Sequence, residues 1–239
     1  VQETRAARGP EERDPREPLW EAMAAASELF RAALWDDPEA RVARDYLAGR
    51  ALGREEGDRF ALGYATRDGR WIERLRALGH DDARLVEVGL LVVREEGGEP
   101  RPRFRGRLMI PILDAGGRVV GFGGRILGEG EPKYLNSPQT TLFDKGRLLY
   151  GLSWARHPIR RAERALVVEG YFDAIRLALA GVDEVVAPLG TALTESQAAL
   201  LAKLTRNVFL LYDSDEAGLK ATFRTGLEFL RLGVSPRVV

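Results

Sequence analysis

From residue 165 onward, short apolar runs alternate with amphipathic stretches, and that rhythm leaves few folds open. ALVV (165–168), EVVAPL (184–189) and NVFLLY (207–212) are near-continuous apolar runs, the pattern of strands buried on both faces. Between them, YFDAIRLALA places Phe172, Ile175 and Leu179 on one helical face. TESQAALLAKL opens with Thr194 and Gln197 at capping-box spacing. EAGLKATFRTGLEFLRL reads as a third helix, and PRVV begins a fourth strand. This alternation predicts a mainly parallel sheet covered on both faces over residues 161–239.

The preceding part has a different texture. LWEAMAAASELFRAAL (19–34) carries apolar residues at helical spacing, with Leu19, Met23, Leu29 and Phe30 as core candidates. Pro38 suits the first turn of a second helix, PEARVARDYLAGR, ending near Gly49. Residues 71–78 and 81–87 read as two more short helices. From residue 88, VGLLVV, RFRGRLMIPIL and RVVGFGGRI are short apolar segments broken by glycine, and DAGG (114–117) is a hairpin signal. GFGGR (121–125) lacks the spacing of a dinucleotide-binding fingerprint and is read as a turn or bulge. Residues 1–18 are polar, charged and proline-bearing, and are expected to be a linker or tail. The predicted fold class is α/β. A mixed α+β subdomain over 19–160, basic in character, precedes the parallel-sheet α/β subdomain.

Composition narrows the chemistry. No apolar run approaches the ~18 residues of a membrane span, and the amino terminus has no apolar signal core. A cytoplasmic protein without membrane partners is expected. Cysteine is absent, which removes disulfides and a Cys-based zinc site from this chain. Formal net charge is zero, so the whole-chain balance does not favour a polyanion. Locally, RPRFRGR (101–107) and RHPIRRAER (156–164) are basic, a pattern that solvated surface also produces. Only four lysines occur, at 133, 145, 203 and 220, in a chain otherwise rich in arginine. Two of the four lie in one short stretch.

Ligands of open parallel sheets bind outside the carboxyl ends of the strands. Glu169 directly follows ALVV, and Asp213 and Asp215 directly follow NVFLLY. If those strands are neighbours, three carboxylates face one crevice and offer hard oxygen ligands suited to Mg²⁺ or Mn²⁺. Asp215 equally suits the cap of the following helix. PLGTALT (188–194) joins a strand to a helix. It reads as an anion-holding Gly-Thr loop or as an ordinary capped helix start.

VVEGYFDAI, an LGT turn and LLYDSDEAG together resemble the toprim module. That module is shared by bacterial-type primases, type IA and II topoisomerases, and some nucleases and recombination proteins. Ahead of it, RFRGRLMIPILDAGGRVVGFGGRIL and PKYLNSPQTTLFDKGRLLYGL closely resemble the amino-terminal subdomain of the DnaG-type primase polymerase core. The resemblance runs from about residue 20 to the end. It implies synthesis of short RNA primers on single-stranded DNA for replication, a nucleotidyl transfer supported by Mg²⁺ or Mn²⁺. It implies Glu169, Asp213 and Asp215 as catalytic and metal-binding acids, with Asp173 as a further acid near the crevice or a first-turn helix acid. Arg107, Arg125, Lys133 and Lys145 match basic positions for nucleotide or template phosphates, and Tyr134 and Asn136 match nucleotide-contacting positions.

The expected partners are single-stranded DNA, ribonucleoside triphosphates and, through a carboxyl-terminal domain outside this chain, the replicative helicase. Zinc is expected only in an amino-terminal module outside it, and a monomer is expected. The chain departs from the family in two places. A third, Asp-Pro-Asp-like acidic element is expected beyond Val239, so the chain reads as a fragment with impaired activity. DSD also stands where the family usually shows DGD, so Ser214 gives up glycine's backbone freedom. The alternatives are a toprim-type metal-dependent nuclease and a non-catalytic module that binds single-stranded DNA or nucleotides.

Overall fold

A computed structural model describes residues 14–93, 98–190 and 192–239. The expected tail over 1–18 falls mostly outside the described residues, and so does Thr191 of the Gly-Thr loop. In chain order come α1 (Glu17–Asp36), a 3-10 turn (Pro38–Ala40), α2 (Arg41–Ala48), α3 (Arg54–Arg59), β1 (Gly63–Ala65), α4 (Trp71–Ala77) and α5 (Asp82–Glu87). There follow β2 (Leu91–Val92), β3 (Arg101–Pro102), β4 (Arg107–Leu113), β5 (Val119–Ile126), β6 (Tyr134–Asn136) and α6 (Leu152–Ala162). The alternating region supplies β7 (Ala165–Val168), α7 (Tyr171–Leu179), β8 (Val185–Val186), α8 (Glu195–Ala202), β9 (Val208–Leu211), α9 (Glu216–Arg231) and β10 (Arg237–Val238).

Two four-stranded sheets carry the fold. The first is antiparallel, in the order β1-β4-β5-β6, and the second is parallel, in the order β10-β9-β7-β8. The predicted fold class is therefore observed. β4 shows why the first sheet sits at the centre of its half. Its alternate residues Leu108, Ile110 and Ile112 belong to one core and Met109 to another. On the Met109 side, α1 lays Met23 and Phe30 against Phe104 and Phe122. Each such buried side chain stabilises the fold by about 1.5–3 kcal/mol. Of the α1 core candidates, Leu19, Met23 and Phe30 are buried and Leu29 is half-buried. On the Leu108 side, the core continues into the parallel subdomain through Val168, Tyr171, Ile175 and Leu189. The outer face of the parallel sheet closes over a third core, where Val167 and Leu210 meet Ile159, Leu201 and Phe229.

The reading of GFGGR as a turn or bulge is corrected: the segment lies inside β5, paired with β4 and partly with β6. The irregularity in that ladder falls between Ile112 and Leu113, opposite Val119 and Gly121, so the expected bulge touches only the first residue of the segment. Glycine is required at these positions because aromatic rings press on the strand. A Cβ on Gly121 would lie 2.5 Å from the Phe143 ring, and one on Gly123 would lie 2.8 Å from the Tyr171 ring. Spacing alone cannot separate a glycine that bends the chain from one that admits a ring.

The two halves are also hydrogen-bonded together. Tyr150 and Ala187 exchange backbone bonds of 2.8 and 3.0 Å. Asn136 Nδ2 donates to the Leu189 carbonyl at 2.7 Å, and its Oδ1 accepts from the Tyr171 hydroxyl at 2.8 Å.

Candidate functional site

The parallel ladder aligns Val168 with Leu211, so the chain leaves β7 and β9 side by side at the carboxyl edge of the sheet. Glu169 leaves one strand and Asp213 follows the other. Glu169 Oε1 accepts the Asp213 backbone N–H at 2.8 Å. Asp215 caps α9, its Oδ1 accepting from the Gly218 N–H at 2.7 Å. Asp173 likewise accepts from the Gly170 N–H at 3.1 Å as the third residue of α7. The capping readings of Asp215 and Asp173 are therefore both present in the structure. Ser214 is not among the described residues with positive φ, so a glycine's freedom is not called upon there.

A cavity of about 630 Å³ opens over this edge. It brings together Glu169, Asp173 and Asp213 with Arg125, Lys133 and Tyr134 from the antiparallel half. A second cavity, of about 710 Å³, adjoins it and shares Tyr46, Arg125 and Lys133. Burial pushes the Asp173 carboxyl above its ordinary range, and the neighbouring Asp213 pushes in the same direction. Burial also drives the Tyr212 phenol up to about 12.

Four of the expected site residues do not line the cavity over the acids. Arg107 is buried and donates to the Gly124 and Pro132 carbonyls at 3.0 and 2.9 Å, and burial lowers its pKa. Asn136 is engaged at both ends of its amide by the contacts that join the two halves. Lys145 is half-buried in a loop fixed from α8. Gln197 Nε2 donates to the Lys145 and Leu148 carbonyls, and Thr194 Oγ1 donates to that of Gly146. Thr194 and Gln197 form the predicted capping box, so an ordinary capped helix follows PLGTALT. Asp215 lies outside the cavity lining as well.

The basic run RPRFRGR is partly inward-looking: Arg103 and Arg107 donate to backbone carbonyls in the interior, and the exposed Arg105 donates to the Arg67 carbonyl at the surface. In the second run, Arg164 pairs with the buried Glu184 at 2.7 Å.

Among the lining residues not anticipated from the sequence are Tyr46 in α2, Arg50 just past its end and Arg176 in α7. Tyr46 and Arg50 stand four apart, on either side of the end of α2. Nothing in the local sequence, however, links α2 to the far sheet edge.

The donor chemistry fits a divalent cation in part. Glu169 and Asp213 supply hard oxygens in one crevice, without an ion-paired cation among the described residues, and the Asp173 pKa is raised by burial and then by the Asp213 charge beside it. Among the described residues, no three acid or His side chains converge as a ready-made metal cage. Mg²⁺ characteristically takes one or two carboxylates and completes its shell with water and phosphate oxygens. The pair suits that mode.

Comparison with known proteins identifies the family. Residues 29–156 match the family described as DNA primase catalytic core, N-terminal domain, and residues 163–239 match the Toprim domain. The DNA primase of Pseudomonas putida is 44% identical over 210 residues, covering 87% of this chain and 32% of that protein. The chain thus spans about a third of the length of this curated relative. Among solved structures, the Aquifex aeolicus primase (zinc-binding and RNA polymerase domains) is 37% identical. It superposes with a TM-score of 0.86 over 98% of this chain and 57% of that one. A DnaG primase catalytic domain bound to single-stranded DNA is 40% identical, with a TM-score of 0.79 over 93% of this chain and 73% of that one.

Proposed function

Because this chain belongs to the DNA primase catalytic core family, we propose that it carries the nucleotidyl-transfer centre of an enzyme making short RNA primers on single-stranded DNA. The observation that carries the reading is one cavity in which Arg50, Arg125 and Lys133 face Glu169 and Asp213. Primer synthesis needs both. A 3′-hydroxyl attacks the α-phosphorus of a ribonucleoside triphosphate, a new P–O bond forms, and the bond to pyrophosphate breaks. The cations hold the triphosphate and template phosphates, where charge accumulates and water is partly excluded. Glu169 and Asp213 would hold Mg²⁺ or Mn²⁺, whose role when bound is to activate the attacking oxygen and stabilise the leaving one. Asp215 and Asp173 fix the two helix starts beside that pair. Tyr134 orients Arg125 through its hydroxyl, and Arg107, Asn136 and Lys145 hold the surrounding frame or approach the substrate from its rim.

No helix among the described residues is long and apolar enough to cross a membrane. A cytoplasmic site of action, with single-stranded DNA and ribonucleotides as partners, completes the proposal.

The test is incubation with labelled ribonucleotides, a single-stranded template and Mg²⁺ or Mn²⁺. It uses the chain itself and a chimaera in which the chain replaces the matching segment of the P. putida primase. Extension products are expected, and Asp213→Ala abolishes them while circular dichroism is unchanged. Shortened template would identify a nuclease. Undiminished primer yield from Asp213→Ala would overturn the assignment of the acids.

A further inference from the structure

Many arginines described in this fold are oriented by carboxylates, such as Arg70 by Asp37 at 3.1 Å and Arg76 by Asp82 at 2.7 Å. Two of the cavity arginines are oriented differently. The Arg50 guanidinium lies 3.9 Å from the Tyr46 ring centroid, and the Arg125 guanidinium lies 4.6 Å from the same ring. Arg125 also approaches the Tyr134 ring at 5.0 Å and donates to its hydroxyl. Arg50 approaches Phe172 at 5.7 Å, and Phe172 meets Tyr46 edge-on at 5.6 Å. Neither arginine has a carboxylate within ion-pair distance among the described residues, and Tyr46 stands where the two cavities join.

The difference has a chemical consequence. A carboxylate partner occupies the in-plane N–H donors of a guanidinium and cancels its charge. An aromatic face holds the same group through the ring quadrupole, which leaves the charge and the remaining in-plane donors to another anion. Arg125 gives one N–H to the Tyr134 hydroxyl and its Nε is buried, so its other terminal nitrogen is the one left to offer. Two like charges would separate in solvent, and a shared ring gives both a reason to stay. The Tyr46 hydroxyl is buried and has no hydrogen-bond partner among the described residues, so hydrogen bonding there does not account for a tyrosine ring at this place.

We infer that Tyr46 is a positioning residue whose ring holds Arg50 and Arg125 as a paired clamp for phosphate oxyanions. The inference rests on the proposed function, because the phosphate belongs either to the nucleotide triphosphate or to the template backbone. Through Phe172, the clamp is packed against the same turn that presents Glu169 and Asp173.

The test measures binding by the 239-residue chain, with ATP in one arm and a short single-stranded oligonucleotide in the other. Tyr46→Leu is expected to weaken one arm about tenfold, a change readily resolved by titration. The arm affected identifies the source of the phosphate. Tyr46→Phe, which keeps the ring, is expected to bind within about twofold of the unaltered chain. In an Arg50→Ala, Arg125→Ala background, Tyr46→Leu is expected to add less than about twofold, because the groups it positions are gone. Should Tyr46→Leu fail to fold, Arg125→Lys substitutes for it. That variant keeps the charge without the planar face and is expected to lose a comparable factor.

Unchanged binding in both arms for Tyr46→Leu or Arg125→Lys overturns the inference. So does equal loss on Tyr46→Phe, or full additivity in the arginine-free background. An unaltered chain that binds neither ligand overturns the proposed function and the clamp with it.

Discussion

Glu169 Oε1 accepts the backbone N–H of Asp213 at 2.8 Å, so the acid that ends one parallel strand is fastened to the first acid after its neighbour. The bond uses one carboxylate oxygen of Glu169 as a structural acceptor and none of Asp213. Position and chemistry are therefore separable at this pair.

Glu169→Gln is expected to exploit that separation. The amide oxygen still accepts from the Asp213 N–H, so thermal stability stays within a few degrees of the unaltered chain. One negative charge is lost, and Mn²⁺ affinity falls by about tenfold or more, as followed by the paramagnetic resonance of free Mn²⁺. Unchanged Mn²⁺ affinity would remove Glu169 from the metal site.

Gly218→Ala is expected to destabilise the chain although alanine favours helices by about 1 kcal/mol. The added Cβ would lie 2.1 Å from the Asp213 carbonyl oxygen and 2.8 Å from Glu169 Oε1. The first turn of α9 would have to withdraw from the acids. A net loss of about 1–3 kcal/mol is expected in urea denaturation. A gain in stability would mean that the close approach is not there in solution.

Asn136→Ala is expected to cost about 2–4 kcal/mol, because it leaves the Tyr171 hydroxyl and the Leu189 carbonyl without their partner at a largely buried contact. Urea denaturation measures the loss. Nucleotide binding provides the second readout, since misplacement of the two halves should weaken it even where the variant is fully folded.

Alkaline stability is expected to depend on Tyr64. Burial, reinforced by Glu39, holds its phenol up at about 12, whereas an unfolded tyrosine ionises near ~10. Between those values the unfolded chain has released a proton that the folded chain keeps, so stability falls as pH rises. The contribution is complete below pH ~10 and lost above pH ~12, at up to about 1.4 kcal/mol per pH unit. Tyr64→Phe should flatten the stability profile in that window. Tyr212, also held at about 12, retains a similar slope of its own.

Legibility in the sequence followed the range of the forces involved. β7, β9 and α7 announced themselves because each buries a periodic apolar face, α8 by its capping box, and α9 by an apolar period that it leaves exposed at Leu219, Phe223 and Leu230. Glu169, Asp213 and Asp215 could be placed because strand ends are positions that a pattern can locate. β1 and β6, three residues each, were not recognised as strands, since runs so short carry no period and owe their pairing to β4 and β5. The glycines of β5 were placed in the wrong kind of structure because the rings they admit come from distant residues, Phe143 and Tyr171. Local charge density misled in the same way. RPRFRGR is as basic as a nucleic-acid-binding stretch, yet Arg103 and Arg107 turn inward to carbonyls. The cations that do face the cavity are scattered from Arg50 to Arg176, and only the tertiary fold collects them.

The core shared by the two halves, together with the Tyr150–Ala187 bridge and the Asn136 contacts, bears on how a ligand is received. Plates joined in this way have no hinge between them, and they work like a vice whose jaws were set when the chain folded. On the proposed function, an incoming phosphate would meet cations and acids that the fold already gathers in one cavity, and little of its binding energy would go to closing a gap. Such a groove chooses among ligands by whether their charge and reach match a fixed gauge. Exchange between successive ligands would then be governed by side-chain rotations at the mouth, which occur in picoseconds to nanoseconds, far faster than the movement of domains.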